Sequence, residues 1–245
     1  MAVSLPELRD TLPRAMQVPL RGQGWLWLGL FGAVWTLAAV LGGAWGLAIR
    51  CAALGLLAEW AAGCYVAGLR GTGRGPALRI PRDWTGRLVW PALTLSVLTF
   101  VLWSPTAIIG MTTAVNAMAR TDIYGGQSAW DFVRPEPGLW TVAGVFALLA
   151  VCYWPLAIVR LATTGHAWSP FDAYEIYGQM REYGWRYFVV AALGLGVVLA
   201  MAGLWVRGGA GWTAGWIVGP LGLTWVTGAQ SYLIGVWEAW TSEID

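Results

Sequence analysis

A chain of 245 residues that is 58% hydrophobic and only 11% charged has too few ionised groups to coat a soluble domain, in which about a quarter of residues are charged. A mean hydropathy of +0.58 and 19 Trp point instead to a membrane protein, and the length suits one helical bundle. The net charge of +2 excludes the dense basic surface that nucleic-acid binding uses.

The chain begins with a polar stretch in which Leu5, Leu8 and Leu12 recur at helical spacing, predicting an interfacial helix over about 5–18. Six apolar stretches follow, each near the roughly 20 residues needed to cross ~30 Å of hydrocarbon. They cover about 25–41, 47–69, 88–109, 139–161, 187–206 and 212–237. No cleavable signal peptide is evident ahead of the first, which is expected to be retained. The expected fold is all-α: a single transmembrane domain over 1–245, a polytopic integral bundle of six transmembrane helices plus interfacial helices at about 5–18 and 170–183.

Within the second span, Cys51 and Cys64 stand about 20 Å apart along a helix, too far to bridge. With Cys152 they read as small buried hydrophobes. Glu59 is the one acid deep in a span, where a charge is costly and needs an interior partner. Arg50 lies roughly 13 Å away along the same helix, beyond direct contact. The expectation is a protonated carboxyl, or one hydrogen-bonded to Thr94, Ser96 or Thr99 of the third span. Glu59 is thus a candidate intramembrane polar site: a structural lock, a transport or proton group, or a subunit contact.

Between the second and third spans, Arg70, Arg74, Arg79, Arg82 and Arg87 are opposed only by Asp83. Pro91 and Pro105 near the ends of the third span, and Pro220 in the sixth, predict kinks. A polar loop is expected over 112–137. His166, the only histidine, stands at the end of the fourth span. A lone imidazole can ligate a haem or chlorophyll-type macrocycle, yet no Cys or His cluster accompanies it. An interfacial or capping His is the simpler reading, and no cofactor or metal is expected.

Ser169-Pro170-Phe171-Asp172 reads as an N-cap, a Pro at the first helical position and an acid in the first turn, opening the surface helix 170–183. Phe171, Tyr174, Tyr177 and Met180 share one side of it, and Asp172, Glu175, Gln179 and Glu182 another. Lipid-facing helices favour basic residues, so this acidic stripe invites a different partner. Asp172, Glu175 or Glu182 either dock on Arg74, Arg79 or Arg82, which would form a docking or headgroup site, or both faces are solvated. In the sixth span, Gly211, Gly215 and Gly219 fall on one helical face and are expected to allow close helix packing. Trp25, Trp27, Trp90, Trp185, Trp212 and Trp237 mark span ends as an aromatic belt.

Arginine sorting orients the bundle. With the N-terminus inside, eleven of the fifteen Arg are cytoplasmic, and only Arg50, Arg120, Arg134 and Arg207 are left outside. The expected topology is N-in/C-in, in a bacterial cytoplasmic (inner) membrane.

The order of features resembles a prokaryotic six-helix integral membrane family of unknown function. The matching residues are Gly63-Cys64-Tyr65 with Gly68 and Arg70, then Ile80-Pro81-Arg82-Asp83-Trp84. They continue through Ser169-Pro170-Phe171-Asp172-Ala173-Tyr174-Glu175-Ile176 and close with Trp185-Arg186-Tyr187-Phe188. The resemblance implies the same topology and no chemistry. Scarce intramembrane charge, small-residue faces and many lipid-level aromatics favour a non-catalytic subunit or scaffold of a larger membrane assembly, in contact with the bilayer and with other subunits or copies of itself; a membrane enzyme ranks third, since no nucleophile–base or metal constellation is evident. A transporter, channel or permease-like component is the alternative, favoured by Glu59, the kinked helices and the basic loop.

Overall fold

The computed structural model describes residues 5–77, 83, 85–124, 137–206 and 210–242, with side chains placed for 9–77, 83, 85–110, 112, 138–200 and 219–240. The described residues form α1 (Leu5–Gln17), α2 (Gly24–Leu41), α3 (Gly43–Leu69), α4 (Trp90–Tyr124), α5 (Pro137–Thr164), α6 (Ala173–Tyr183), α7 (Arg186–Val206) and α8 (Ala210–Ser242). Among them no strand occurs, only an isolated parallel bridge between Gly22 and Gly75. Four helical segments are long and apolar enough to cross a membrane: Gly24–Leu41, Gly43–Leu69, Thr85–Gly110 and Gly138–Thr164. The segments Ala173–Tyr183 and Arg186–Ala200 meet at 111°, and count as a fifth if taken as one bent span. The stretch expected to be the sixth span lies within α8.

These helices form where apolar runs leave the backbone no partner in hydrocarbon but itself. Hydroxyls inside them follow suit: Ser96 and Thr99 each donate at 2.6 Å to the carbonyl four residues back, and Thr224 does so to Pro220 at 2.9 Å. Breaks fall where the backbone must reverse. Gly42 and Gly43 hold φ of 60° and 50° between α2 and α3, a region a side chain would disfavour. The polar loop expected over 112–137 is partly helical instead. No Gly or Pro falls between Gly110 and Gly125, and Ala114, Ala117, Met118 and Ala119 favour helix, so α4 runs on to Tyr124.

The core gathers around α3, which packs most extensively on α8. Trp60, Leu57, Leu156, Ile158, Leu233, Ile234 and Trp237 are fully or almost fully buried there. α3 and α8 run parallel, because Trp60 meets Thr224 and Gly228 while Tyr65 meets Gly235 and Glu238. Their contact is backbone on backbone. A Cβ at Gly68 would overlap the Tyr232 carbonyl, and one at Gly235 would overlap the Tyr65 carbonyl. Each glycine therefore seats the other helix's main chain, the approach that helix association in lipid rewards. Gly219, from the face expected to pack tightly, is buried; the surroundings of Gly211 and Gly215 lie outside the described side chains.

The aromatic belt is narrower than expected. Trp25, Trp90 and Trp185 are more than half exposed, as are Trp45 and Trp168. Trp27 and Trp237 are instead core residues, Trp27 against Trp60 with ring centres 5.8 Å apart and Trp237 against Tyr183 at 5.7 Å. Hydropathy places a Trp at a helix end but not on a face, and these two face inward.

Candidate functional site

The end of the bundle that holds Arg21, Arg70 and Arg74 collects most of the described charge and is fixed from several directions. Gly71, with φ of 60°, caps α3: its N–H bonds the Gly68 carbonyl at 3.0 Å, and the Thr72 N–H bonds Ala67 at 2.9 Å. The chain then turns back, and the Gly75 N–H donates to the Arg21 carbonyl at 3.2 Å. A Cβ on Gly75 would come within 2.7 Å of the Arg21 and Val18 carbonyls, so this crossing requires glycine. Pro76 packs over Gly63, and the chain reaches the level of Gly55 by Leu88. Arg74 is exposed beside Gly22. Arg79 and Arg82 lie outside the described residues.

This descent supplies the partner of Glu59. Arg87, in a π-helical turn (Thr85–Val89) that precedes α4, reaches the Glu59 carboxylate at 3.2 Å. Gly55 makes the approach possible, since a Cβ there would overlap the Leu88 carbonyl. The expected partners Thr94, Ser96 and Thr99 do not serve: Ser96 and Thr99 are spent on their own helix, and Glu59 takes a guanidinium instead. Sequence position makes Glu59 look deep. Its neighbouring helix starts at that level, so the pair sits at a helix end, with Arg87 largely in the open.

The surface helix α6 starts three residues later than the Ser-Pro signature suggests. Ser169–Phe171 form a short 3₁₀ turn, and Asp172 is the N-cap, accepting from the Glu175 N–H at 3.1 Å. Glu175 pairs with Arg160 of α5 at 2.8 Å, which leaves its carboxylate engaged by a residue outside the basic loop. Glu182 is exposed. The side of α6 that faces the protein carries Ile176 and Tyr183; Tyr174 and Tyr177 are 88% and 68% exposed. His166 is exposed in the turn between α5 and α6, where its carbonyl accepts from the Ser169 N–H at 3.0 Å and the Ser169 hydroxyl at 2.8 Å.

A cavity of about 300 Å³ opens at the same basic end, between α1, the end of α3 and the last turns of α8. Arg14 and Thr11 reach it from α1, Arg70 and Leu69 from α3, and Tyr232, Val236, Ala239 and Trp240 from one face of α8. α1 is held over it by the Trp225 indole, which donates to the Met16 carbonyl at 3.0 Å. The adjacent acid, Glu238, accepts from the Tyr65 hydroxyl at 2.5 Å. Among the described residues neither Arg14 nor Arg70 has an ion-pair partner. The amphipathic pattern of 5–18 predicts an interfacial helix, but not that it roofs a cavity.

Deeper in α8, Thr224, Thr227, Gln230 and Ser231 form a buried polar stripe that apolar periodicity hides. The Gln230 amide donates to the Val190 carbonyl at 2.7 Å, and the Trp60 indole to the Thr224 carbonyl at 3.0 Å. The hydroxyls of Thr227 and Ser231 are buried without a partner among the described residues. Arg50, at the other end of α3, lies 5.7 Å from the centre of the Trp35 ring, a cation–π contact.

Comparison with protein-family models, curated proteins and solved structures finds no match to this chain.

Proposed function

We propose that this chain is a six-span integral protein of a bacterial cytoplasmic membrane, with both termini inside, and that it serves as a non-catalytic subunit or scaffold in a membrane protein assembly. The orientation follows from the concentration of Arg at one end of the bundle. The assembly reading rests on one observation. Ala192, Gly196 and Ala200 are exposed on successive turns of α7, and a Cβ at Gly196 would meet nothing within 4 Å. Lipid tails gain nothing from such a face, whereas a neighbouring helix can approach it closely. The interior supports the same reading: α3 and α8 are interlocked through Gly68 and Gly235, and Glu59 is paired rather than poised in a relay.

The test is purification in mild detergent followed by mass measurement of the intact particle. A subunit gives a particle heavier than one chain plus its detergent, and Gly196→Ile dissociates it. A wild-type particle containing one chain and no partner would sink the proposal. Transport is the second reading, supported by the buried stripe Thr224, Thr227, Gln230 and Ser231. It requires that Glu59→Gln or Thr227→Val alter a reconstituted flux.

A further inference from the structure

We infer that the cavity between α1, α3 and α8 is a binding site for a phosphate-bearing anion, held by Arg14 and Arg70. Arg14 and Arg70 both line one space of about 300 Å³, and neither makes an ion pair with a carboxylate among the described residues. Two cations facing one concavity repel each other, and the arrangement is relieved when an anion sits between them. Guanidinium groups suit this role because their planar N–H forks match phosphate oxygens.

The surrounding groups favour the same occupant. The α3 carbonyls that would oppose an anion are closed by the cap: Val66, Ala67 and Gly68 all accept backbone N–H groups. Glu238 is turned to the Tyr65 hydroxyl rather than left to the cavity. Asp10, one turn before Arg14 on α1, is exposed and makes no ion pair with it. Thr11 and Tyr232 add polar atoms at the wall, while Leu69 and Trp240 provide an apolar border suited to the glycerol and acyl region of a lipid. A phospholipid headgroup and a free phosphate compound share the recognised chemistry. The site stands at the Arg-rich end, which the positive-inside bias places against the anionic leaflet. The inference is independent of the assembly reading: a monomer can carry the site, and an assembly can lack it.

Native mass spectrometry of the full-length protein in mild detergent, titrated with phosphatidylglycerol and with phosphatidylcholine, reads the lipid source. Equilibrium binding of radiolabelled inorganic phosphate to the same preparation reads the soluble source. Each Arg→Gln change is expected to weaken binding about tenfold, the worth of one charge-assisted contact. Arg74→Gln, an equal loss of charge outside the cavity, is expected to leave binding unchanged. Ala239→Leu keeps both charges but fills the space, and is expected to abolish binding even if the double Arg variant fails to fold. Phosphatidylglycerol retention with no phosphate binding assigns a lipid headgroup; phosphate binding that competes with the lipid assigns the soluble source. Equal binding by wild type and Arg14→Gln/Arg70→Gln overturns the inference, as do an equal loss in Arg74→Gln or undiminished binding by Ala239→Leu.

Discussion

Arg87 meets Glu59 at 3.2 Å across two helices, and the two side chains are unequally exposed, 65% for the arginine and 21% for the acid. The acid depends on the pair more than the base does. Removing the carboxylate returns Arg87 to solvent or headgroups at little cost; removing the guanidinium strands a half-buried charge.

Glu59→Gln is therefore expected to lower stability by less than about 1 kcal/mol, the range for exposed pairs. Arg87→Gln should cost more, about 1–3 kcal/mol, as an acceptor loses its partner. Thermal unfolding in detergent of both variants and of the double variant checks this. Equal costs for the two single changes would show that the pair behaves as an ordinary surface contact.

At the second ion pair the asymmetry reverses. Arg160 is 15% exposed and Glu175 55%, so Glu175→Gln is expected to be the costlier change, again about 1–3 kcal/mol. Asp172→Ala removes the N-cap of α6 and should destabilise that helix locally by about 1 kcal/mol. Hydrogen exchange across 173–183 separates the two effects, since loss of the cap accelerates exchange in the first turn.

Glycines at closed and open positions should respond in opposite directions. Gly235→Ala drives a methyl into the Tyr65 carbonyl and is expected to cost about 1–3 kcal/mol or more. Gly144→Ala, on α5 with nothing within 4 Å, is expected to be neutral or to stabilise by up to about 1 kcal/mol. Melting temperatures of the two variants test the α3–α8 interlock directly.

The indole of Trp225 tethers α1 to the bundle through the Met16 carbonyl. Trp225→Phe keeps an aromatic ring, though a smaller one, and loses the indole donor, whose hydrogen bond is worth about 1 kcal/mol. Limited proteolysis should then cut 5–17 severalfold faster while 43–69 stays protected. Unchanged cleavage would mean that α1 is held by packing alone.

Hydropathy and length mark out α2, α5 and α7 to within three residues, because in lipid an apolar run has no alternative to helix. They do not say which helices touch. Gly228 and Gly235, seven residues apart on α8, are ordinary glycines in the chain and become the seat of α3 only through their partners Trp60, Tyr65 and Gly68. The conspicuous repeat Gly211, Gly215, Gly219 draws the eye to the other half of the same helix. Glu59 is legible as a group that needs a partner, but its partner comes from the π-helical turn before α4, which Gly55 admits against α3 and which no periodicity encodes. Likewise Arg14 and Arg70, 56 positions apart, show their shared cavity only once α1 lies across the helix ends.

The parallel seating of α3 on α8 also sets an order of events during biogenesis. The groove beside Trp60, Tyr65 and Gly68 emerges from the ribosome early, whereas the backbone that fills it arrives with 224–238. Until then α3 has its indole donor and its closest-packing surface uncovered. Nascent chains halted before residue 224 should therefore engage insertion chaperones for longer than chains halted after 238.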